Sequence, residues 1–195
     1  MYLNKDSEVK VHKFTAKKRH ISLVGEAFIE VASDASRPFT VASAGTLTEV
    51  VGTSFNICQM GQKTQIFVNS GKVIFSAKDD ADSAVALGRG EAAVFGDQKM
   101  ELIPNPSPNI ISWKTQELHF AKQMPLTDIV ADIAAYFDAK VVVENEDSKT
   151  CRITLPLSIQ NPEIKSLLNI VATSISAELI EEGDTYIIKG GKSCL

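Results

Sequence analysis

The length, composition and charge of this chain exclude several classes of protein. Its 195 residues exceed the roughly 100–150 of a single domain, and its fractions of hydrophobic (44%) and charged (23%) residues are those of folded domains rather than of disordered chains. The formal net charge of −4 and the lack of any run of about 18 apolar residues argue against a nucleic-acid-binding protein and against a membrane-spanning segment within the chain.

Short apolar alternations broken by turn residues run from Glu8 to about Ile103 and predict successive β-strands. The clearest predicted strands are residues 27–31, 39–42, 46–51, 55–58, 65–69, 72–76, 84–87 and 91–95. Gly71 lies between two of these strands and predicts a tight hairpin, because glycine readily adopts the positive φ that such a turn requires. Since one sheet must bury its apolar face against another, we expect residues 1–103 to form an all-β domain: a sandwich, a jelly roll or a β-helix.

Three prolines within five residues follow this region. Pro104, Pro106 and Pro108 supply no backbone N–H donors and favour an extended chain, so we predict a proline-rich linker over residues 104–112. The linker divides the chain into a first domain, residues 1–103, and a second domain, residues 113–195.

Helical periodicity appears only in the second region. Apolar residues follow Pro125 at helical spacing and predict a helix that begins there, because proline is tolerated at the first helical position. Asn161 predicts the N-cap of another helix, with Pro162 and Glu163 in its first turn. Further strands are predicted at residues 117–120, 141–144, 152–155, 177–181 and 185–189. This order predicts a small α+β module of βαβ-βαβ type, with both helices packed against one or two sheets.

Residue types suited to metal binding or nucleophilic catalysis are sparse. The histidines are His12, His20 and His119. They are too scattered for a metal centre, and we expect no metal or cofactor site. The cysteines are Cys58, Cys151 and Cys194. Their odd number and wide spacing predict buried or reduced thiols rather than zinc ligands, and the apolar run around Cys58 argues against a catalytic thiol.

Two groups of charged residues could in principle act on a ligand. Glu26 and Glu30 alternate with Phe28 along one strand, so they would share a face and could present two carboxylates for acid and base chemistry; a solvated face is the favoured interpretation. The basic residues near the start are Lys13, Lys17, Lys18 and Arg19. Because no aromatic residues are interleaved with them, they predict a solvated loop rather than a phosphate-binding patch.

Trp113, the only tryptophan, follows the predicted linker. Its large ring could seal the joint between the two domains, or it could stand exposed as an anchor for a binding partner. Packing is the favoured interpretation, and Trp113 remains a candidate partner-binding residue.

Several short motifs, taken in order, resemble the periplasmic sensor part of FecR-type anti-sigma regulators. In the first domain they are residues 1–9, 25–31, 37–41, 51–57, 70–73 and 87–92. After the linker, the residues that carry the resemblance are Trp113, Leu118, Phe120, Pro125, Leu126, Ile129 and Tyr136. This second group is similar to the C-terminal module of Bacteroidetes-type members, which itself resembles the secretin and TonB short N-terminal domain. Together the motifs extend over nearly the whole chain.

The resemblance implies a non-enzymatic regulator that acts through protein contacts. The C-terminal module would bind the signalling domain of a TonB-dependent transducer, and the β domain would relay the signal towards the membrane. A sigma factor would be contacted only through a cytoplasmic segment absent from this chain, so the full-length protein would be a single-pass inner-membrane protein with this part in the periplasm. Exposed edge strands of a small α+β module are templates for a partner's strand. The candidate partner-binding residues there are Val141, Val143, Tyr186 and Ile188.

Two alternatives belong to other functional classes. A secreted glycan-binding module should line one face with exposed aromatic side chains, and the single Trp and three Tyr of this chain argue against it. A hydrolase would use Glu26 and Glu30 as its acid and base.

Overall fold

The computed structural model describes residues 1–192, and for residue 81 only the backbone. The chain divides into two compact units, Met1–Lys114 and the part from Thr115 onward. The first unit is built almost entirely of strands, and the second combines strands with helices, so the expected mainly β and α+β fold is confirmed.

The first unit contains twelve strands. In chain order they are β1 Tyr2–Leu3, β2 Glu8–Phe14, β3 Arg19–Val24, β4 Glu26–Glu30, β5 Phe39–Ser43, β6 Thr46–Val50, β7 Ser54–Met60, β8 Lys63–Ser70, β9 Lys72–Ala77, β10 Asp80–Gly88, β11 Ala92–Gly96 and β12 Lys99–Ile103. They form two six-stranded sheets: sheet I, ordered β1-β4-β7-β8-β11-β12, and sheet II, ordered β10-β9-β6-β5-β3-β2. Side chains from both sheets, such as Phe55 and Phe75, belong to one buried cluster, so the unit is a β-sandwich.

The predicted hairpin at Gly71 is wrong. Strand β8 belongs to sheet I and β9 to sheet II, so the chain crosses between the two sheets at this glycine. Each strand contributes alternate residues to the common core, Val68 from β8 and Val73 from β9. Alternation of apolar residues is the same whether two strands lie side by side or face each other across a core, which is why the pattern could not distinguish the two arrangements.

Glycines mark three other crossings between the sheets. Gly25 lies between β3 and β4, Gly52 between β6 and β7, and Gly90 between β10 and β11. The crossings at Gly52 and Gly71 touch each other: the Thr53 hydroxyl donates to the Lys72 carbonyl (2.8 Å) and accepts from the Lys72 N–H (3.2 Å). Several of the short motifs seen in the sequence therefore build the corners of the sandwich.

The segment that follows β12 packs on the first unit. It contains a 3-10 helix, Pro108–Ile111, and a short helix α1, Ser112–Thr115. The indole N–H of Trp113 donates to the Asn56 side-chain oxygen (3.2 Å), and the Lys114 ammonium lies 4.8 Å from the centroid of the Phe28 ring. The boundary between the two units falls after Lys114 rather than before Trp113, because these contacts hold the segment on the outer face of sheet I.

Up to residue 192, the second unit contains three small sheets and three helices. Its elements are β13 Glu117–His119, β14 Met124–Pro125, α2 Leu126–Phe137, β15 Lys140–Val143, α3 Glu146–Lys149, β16 Arg152–Ile153, β17 Ser158–Gln160, α4 Ile164–Ser174, β18 Ala177–Glu182 and β19 Thr185–Gly190. The sheets are β13-β17, β14-β16 and β15-β19-β18. The predicted order of strands and helices is present, but strands that flank one helix belong to different sheets. Helices α2 and α4 bury Ile129 and Leu168 in the core of this unit.

Two local predictions in the second unit are corrected. Helix α4 is capped by Glu163 in an extended conformation, two residues after the predicted cap, and Asn161 instead adopts a left-handed conformation with φ of 44°. Cys151 is disulfide-bonded and fully buried, whereas the sequence predicted unpaired thiols. Cys58 is a free thiol, and Cys194 lies outside the described residues.

Replacing Gly71 with alanine is expected to destabilise the first unit more than the same change at Gly90. Both glycines have positive φ, 84° and 81°. A Cβ at position 71 would lie 2.7 Å from the Gly52 carbonyl oxygen, whereas one at position 90 meets nothing within 4 Å. G90A should lower the free energy of unfolding by about 1–2 kcal/mol from backbone strain alone, and G71A by at least ~1 kcal/mol more. Urea unfolding followed by Trp113 fluorescence measures both, and equal losses would contradict the packed crossing.

Candidate partner-binding surface

The three-stranded sheet of the second unit has one face in the core and one face open. Strand β19 is central, paired with β15 in parallel and with β18 in antiparallel orientation. Successive side chains on a strand point to opposite faces. Ile188 of β19 is in the buried cluster that contains Leu168 of α4, so the helices cover the face to which Ile188 belongs.

Four of the five residues predicted to bind a partner belong to this sheet, and all four lie on its covered face. Val143 pairs with Ile188, and their side chains are 7% and 0% exposed. Val141 pairs with Tyr186, and both are partly buried against the same core. These side chains pack in the core of the unit and stabilise it. Because they point away from the open face, they cannot contact a partner there.

The open face carries a row of apolar side chains that the sequence prediction missed. Val142, Ile187 and Ile180 lie in register across the three strands, and we call them the apolar row. Val142 is 39% exposed, and both isoleucines are partly exposed. Val142 and Ile187 are each one position from a predicted residue, and Ile180 pairs with Ile187 across the strands. In the run Val141 to Val143 every residue is apolar, so the sequence offers no signal for which face is buried.

Charged residues border the apolar row. On one side the Lys189 ammonium lies 4.0 Å from the Glu144 carboxylate, and Glu178 pairs with Lys189 across the strands. On the other side Lys140 and Glu182 are the register partners of Thr185 in the central strand. An apolar centre with a charged and polar rim is the usual arrangement of a protein–protein interface.

The outer edge of β15 is also available to a partner. The Glu144 N–H donates to the Ile188 carbonyl (3.0 Å), so Glu144 directs its backbone towards β19. Alternate residues direct their backbone groups to opposite edges, and Val141 and Val143 therefore direct theirs away from β19. No strand within residues 1–192 pairs with that edge. Two of the predicted residues can thus offer backbone hydrogen bonds although their side chains face the core.

Acidic residues lie at and beside the turn that follows β18, and one of them, Glu181, forms an ion pair. The Lys165 ammonium lies 3.0 Å from the Glu181 carboxylate, and the hydrogen bond from Lys165 to Glu181 raises the pKa of the lysine. Glu181 is therefore neutralised by α4. Gly183 and Asp184 form the turn itself, and Glu182 remains exposed beside them.

Trp113 is held by a polar network in the first unit. The Glu26 carboxylate accepts hydrogen bonds from the side-chain amides of Asn4 (2.6 Å) and Asn56 (2.7 Å). The oxygen of the Asn56 amide in turn accepts from Trp113. The partly buried indole thus packs within the first unit, and its part in partner binding stays a prediction.

The same network separates the roles of Glu26 and Glu30. Glu26 is engaged by two amides, and Glu30 is exposed at the other end of β4. The geometry gives Glu26 a structural role rather than that of a free general acid or base. Cys58, beside Glu26, is equally unsuited to nucleophilic chemistry: burial, and then the Glu26 charge, raise the pKa of its thiol to about 12, so it stays protonated near neutral pH.

The part of the chain that the structure describes offers neither a metal site nor a membrane-spanning helix. No group of three or more His, Cys, Asp or Glu side chains there could hold a metal ion. No described helix has the length and apolarity that crossing a bilayer demands. Two large aromatic side chains are markedly exposed, Tyr2 and Phe14, and each packs against a buried phenylalanine rather than joining an aromatic platform.

Replacing Glu26 with glutamine is expected to destabilise the first unit, whereas the same change at Glu30 should not. A glutamine at position 26 has only one side-chain oxygen, so its NH2 group would face one of the two asparagine NH2 groups that now donate to the carboxylate. The free energy of unfolding should fall by about 1–2 kcal/mol. E30Q should stay within about 0.5 kcal/mol of the parent. Urea unfolding and the Trp113 emission maximum are the measurements. Indistinguishable variants would rule out the network as a support for Trp113.

Comparison with known proteins identifies the family. The model of the FecR protein family matches residues 1–74, and the model of the FecR C-terminal region matches residues 118–188. Two crystal structures of a protein described as a candidate anti-sigma factor from Parabacteroides distasonis ATCC 8503, at 1.65 and 2.50 Å resolution, have similar folds, with TM-scores of 0.65 and 0.64. Both are 19% identical to this chain over 97% of its length and 89% of theirs.

The TM-scores establish a shared fold, which is all that a likeness at 19% identity shows, and no curated protein matches the chain significantly. The two family matches carry the identification, because one lies in each unit and together they cover most of the chain. This chain belongs to the FecR protein family.

Proposed function

We propose that this chain is the periplasmic sensor part of a transmembrane anti-sigma regulator. Its second unit would receive the signal by docking the signalling domain of a TonB-dependent transducer. The sigma factor would be bound by a cytoplasmic segment outside this chain, beyond a membrane anchor. The family supports a regulatory role, and the transducer as partner is our inference.

The observation that carries this proposal is the apolar row on the open face of the second unit's sheet. Val142, Ile187 and Ile180 lie side by side without a covering helix, next to the unpaired edge of β15. A partner strand added at this edge would bond to the backbone of Val141 and Val143, and an adjoining part of the partner would cover the row. Backbone bonds of this kind supply affinity, and the side chains supply specificity.

Trp113 is proposed to fix the segment that leads into the second unit. Helix α1 contains both Trp113 and Thr115, the first residue of that unit. A signal that moved this helix would change the hydrogen bonds that link Trp113 to Asn56 and Asn56 to Glu26 in sheet I. Regulation would then work by a change in protein contacts.

A charged residue in the apolar row should weaken binding of the transducer's signalling domain. Val142→Asp places a carboxylate where the partner would exclude water, so the dissociation constant should rise at least about tenfold. Leu157→Asp is the matched control, because Leu157 is an exposed apolar residue of the same unit (60% exposed) outside the row. Isothermal titration calorimetry of the full chain against the purified domain measures both.

Two outcomes would overturn the proposal. If the parent chain does not bind the signalling domain of the transducer encoded beside it, the partner is wrong. If the parent binds and V142D binds equally well, with L157D as reference and circular dichroism showing that both are folded, the docking surface is wrong.

A further inference from the structure

The outer face of sheet II contains a basic cleft that neither the family nor the proposed function accounts for. Its volume is about 640 Å³. The cleft is lined by His12, Lys13, Lys17, Lys18, His20, Pro38, Thr40, Leu47 and Glu49. These residues come from β2, β3, β5 and β6 and from the loops that join β2 to β3 and precede β5.

A β-bulge brings two neighbouring residues of β2 to the same side. Val11 pairs with Ile21 and Lys13 pairs with His20, so His12 is the extra residue between them. Ile21 faces the core, and His20 therefore faces outward together with its partner Lys13. The His12 imidazole also lies outward, because its Nε2 is 2.9 Å from the Ser22 hydroxyl. Bulges commonly redirect a side chain at a functional site.

Hydrogen bonds hold the cationic groups around the cleft. The two imidazole rings lie 5.3 Å apart between centroids, and Nδ1 of His20 is 2.8 Å from the Thr40 hydroxyl. In the loop between β2 and β3, the Thr15 hydroxyl accepts from the backbone N–H groups of Lys17 (3.3 Å) and Lys18 (3.2 Å). The loop that carries both lysines therefore has a defined turn.

The cleft has an excess of positive charge that the protein does not neutralise. No ion pair within residues 1–192 involves Lys13, Lys17 or Lys18. Three ammonium groups face one carboxylate, that of Glu49, so the lining carries a charge of +2 with both imidazoles neutral and +4 with both protonated. Like charges gathered in a concave site attract an anion and raise its local concentration.

We propose that this cleft is a binding site for a phosphoryl anion and that binding strengthens when His12 and His20 are protonated. Five nitrogen-bearing side chains surround one cavity. A phosphoryl group has three or more oxygens arranged tetrahedrally, so it can accept hydrogen bonds from several of these side chains at once. A carboxylate has only two oxygens. The phosphoryl group could be a lipid headgroup or a free anion, and the test distinguishes these sources.

The pH dependence follows from the groups that face the two imidazoles. Burial lowers the pKa of His20 below its ordinary value, and the charges of His12, Lys18 and Lys78 lower it further. Lys13 and Lys17 add positive charge from β2 and its loop, and Glu49 opposes them from β6. A bound anion stabilises protonated imidazoles through charge attraction, so binding strengthens when both rings carry a proton.

Proton NMR of the histidine rings tests this proposal on the full chain. At constant pH and ionic strength, inorganic phosphate should shift the ring-proton resonances of His12 and His20 relative to sodium chloride, whereas the resonances of His119 in the second unit serve as the internal reference. Because inorganic phosphate itself takes up a proton between pH 7.5 and pH 5.5, the pH dependence is measured with a simple phosphodiester, which keeps one negative charge throughout. Its affinity should be higher near pH 5.5 than near pH 7.5. Sedimentation with vesicles of phosphatidylglycerol and phosphatidylcholine, compared with pure phosphatidylcholine, examines the lipid source.

Charge-matched variants separate the cleft from general electrostatics. K13Q/K17Q/K18Q removes three charges at the cleft, and K63Q/K72Q/K99Q removes three from exposed lysines that do not line it. The first variant should lose at least about tenfold in affinity, and the second should change less than about twofold. Binding to vesicles but not to phosphate identifies a lipid headgroup, and the reverse identifies a free anion. If neither ligand shifts His12 and His20, or if both variants lose affinity equally, the proposal is overturned.

Discussion

Burial of one face of every sheet is the physical constraint on which both units depend. The first unit has no long helix to cover a sheet, so its two sheets cover each other, and Phe55 from one and Phe75 from the other meet in a single core. The second unit uses α2 and α4 instead, which cover only one face of its three-stranded sheet. The opposite face is left with Val142, Ile187 and Ile180. A candidate docking surface therefore follows from how this unit buries its core.

The outer faces of the two sheets differ in whether another segment of the first unit covers them. On sheet I, Phe28 is buried beneath the segment that carries Trp113 and Lys114, and Glu26 is tied to Asn56 in the same region. That face is thus occupied by the protein's own chain. On sheet II the outer face stays open and carries His12, His20 and unpaired lysines around a cleft. The glycine corners let the chain alternate between the sheets, so residues distant in sequence are assembled on each face.

Individual residues illustrate what could be predicted and what could not. The strands around Val41 and Ile57 were evident from alternation, and the helix after Pro125 was evident from its spacing. The strands that pair with β8 could not be predicted from the sequence. Alternation indicates which residues are buried, but it carries no information about which strands are neighbours in a sheet. The basic cluster was predicted as a solvated loop, since nothing in the sequence indicates that the bulge at His12 directs Lys13 and His20 to one face. The same uncertainty of face explains why the predicted binding residues Val143 and Ile188 have buried side chains, whereas their neighbours Val142 and Ile187 lie on the open face.

By itself the sequence determined the class of each unit, the family motifs and the scarcity of catalytic side chains, because composition, period and turn residues are local properties of the chain. Only the tertiary structure decided which face of the second unit's sheet is covered, which glycines join the two sheets, and which charged groups converge outside sheet II. These features depend on contacts between segments far apart in sequence. The same alternation of buried and exposed residues is compatible with different neighbouring strands and with either sheet. The packing of the whole unit selects one of these arrangements.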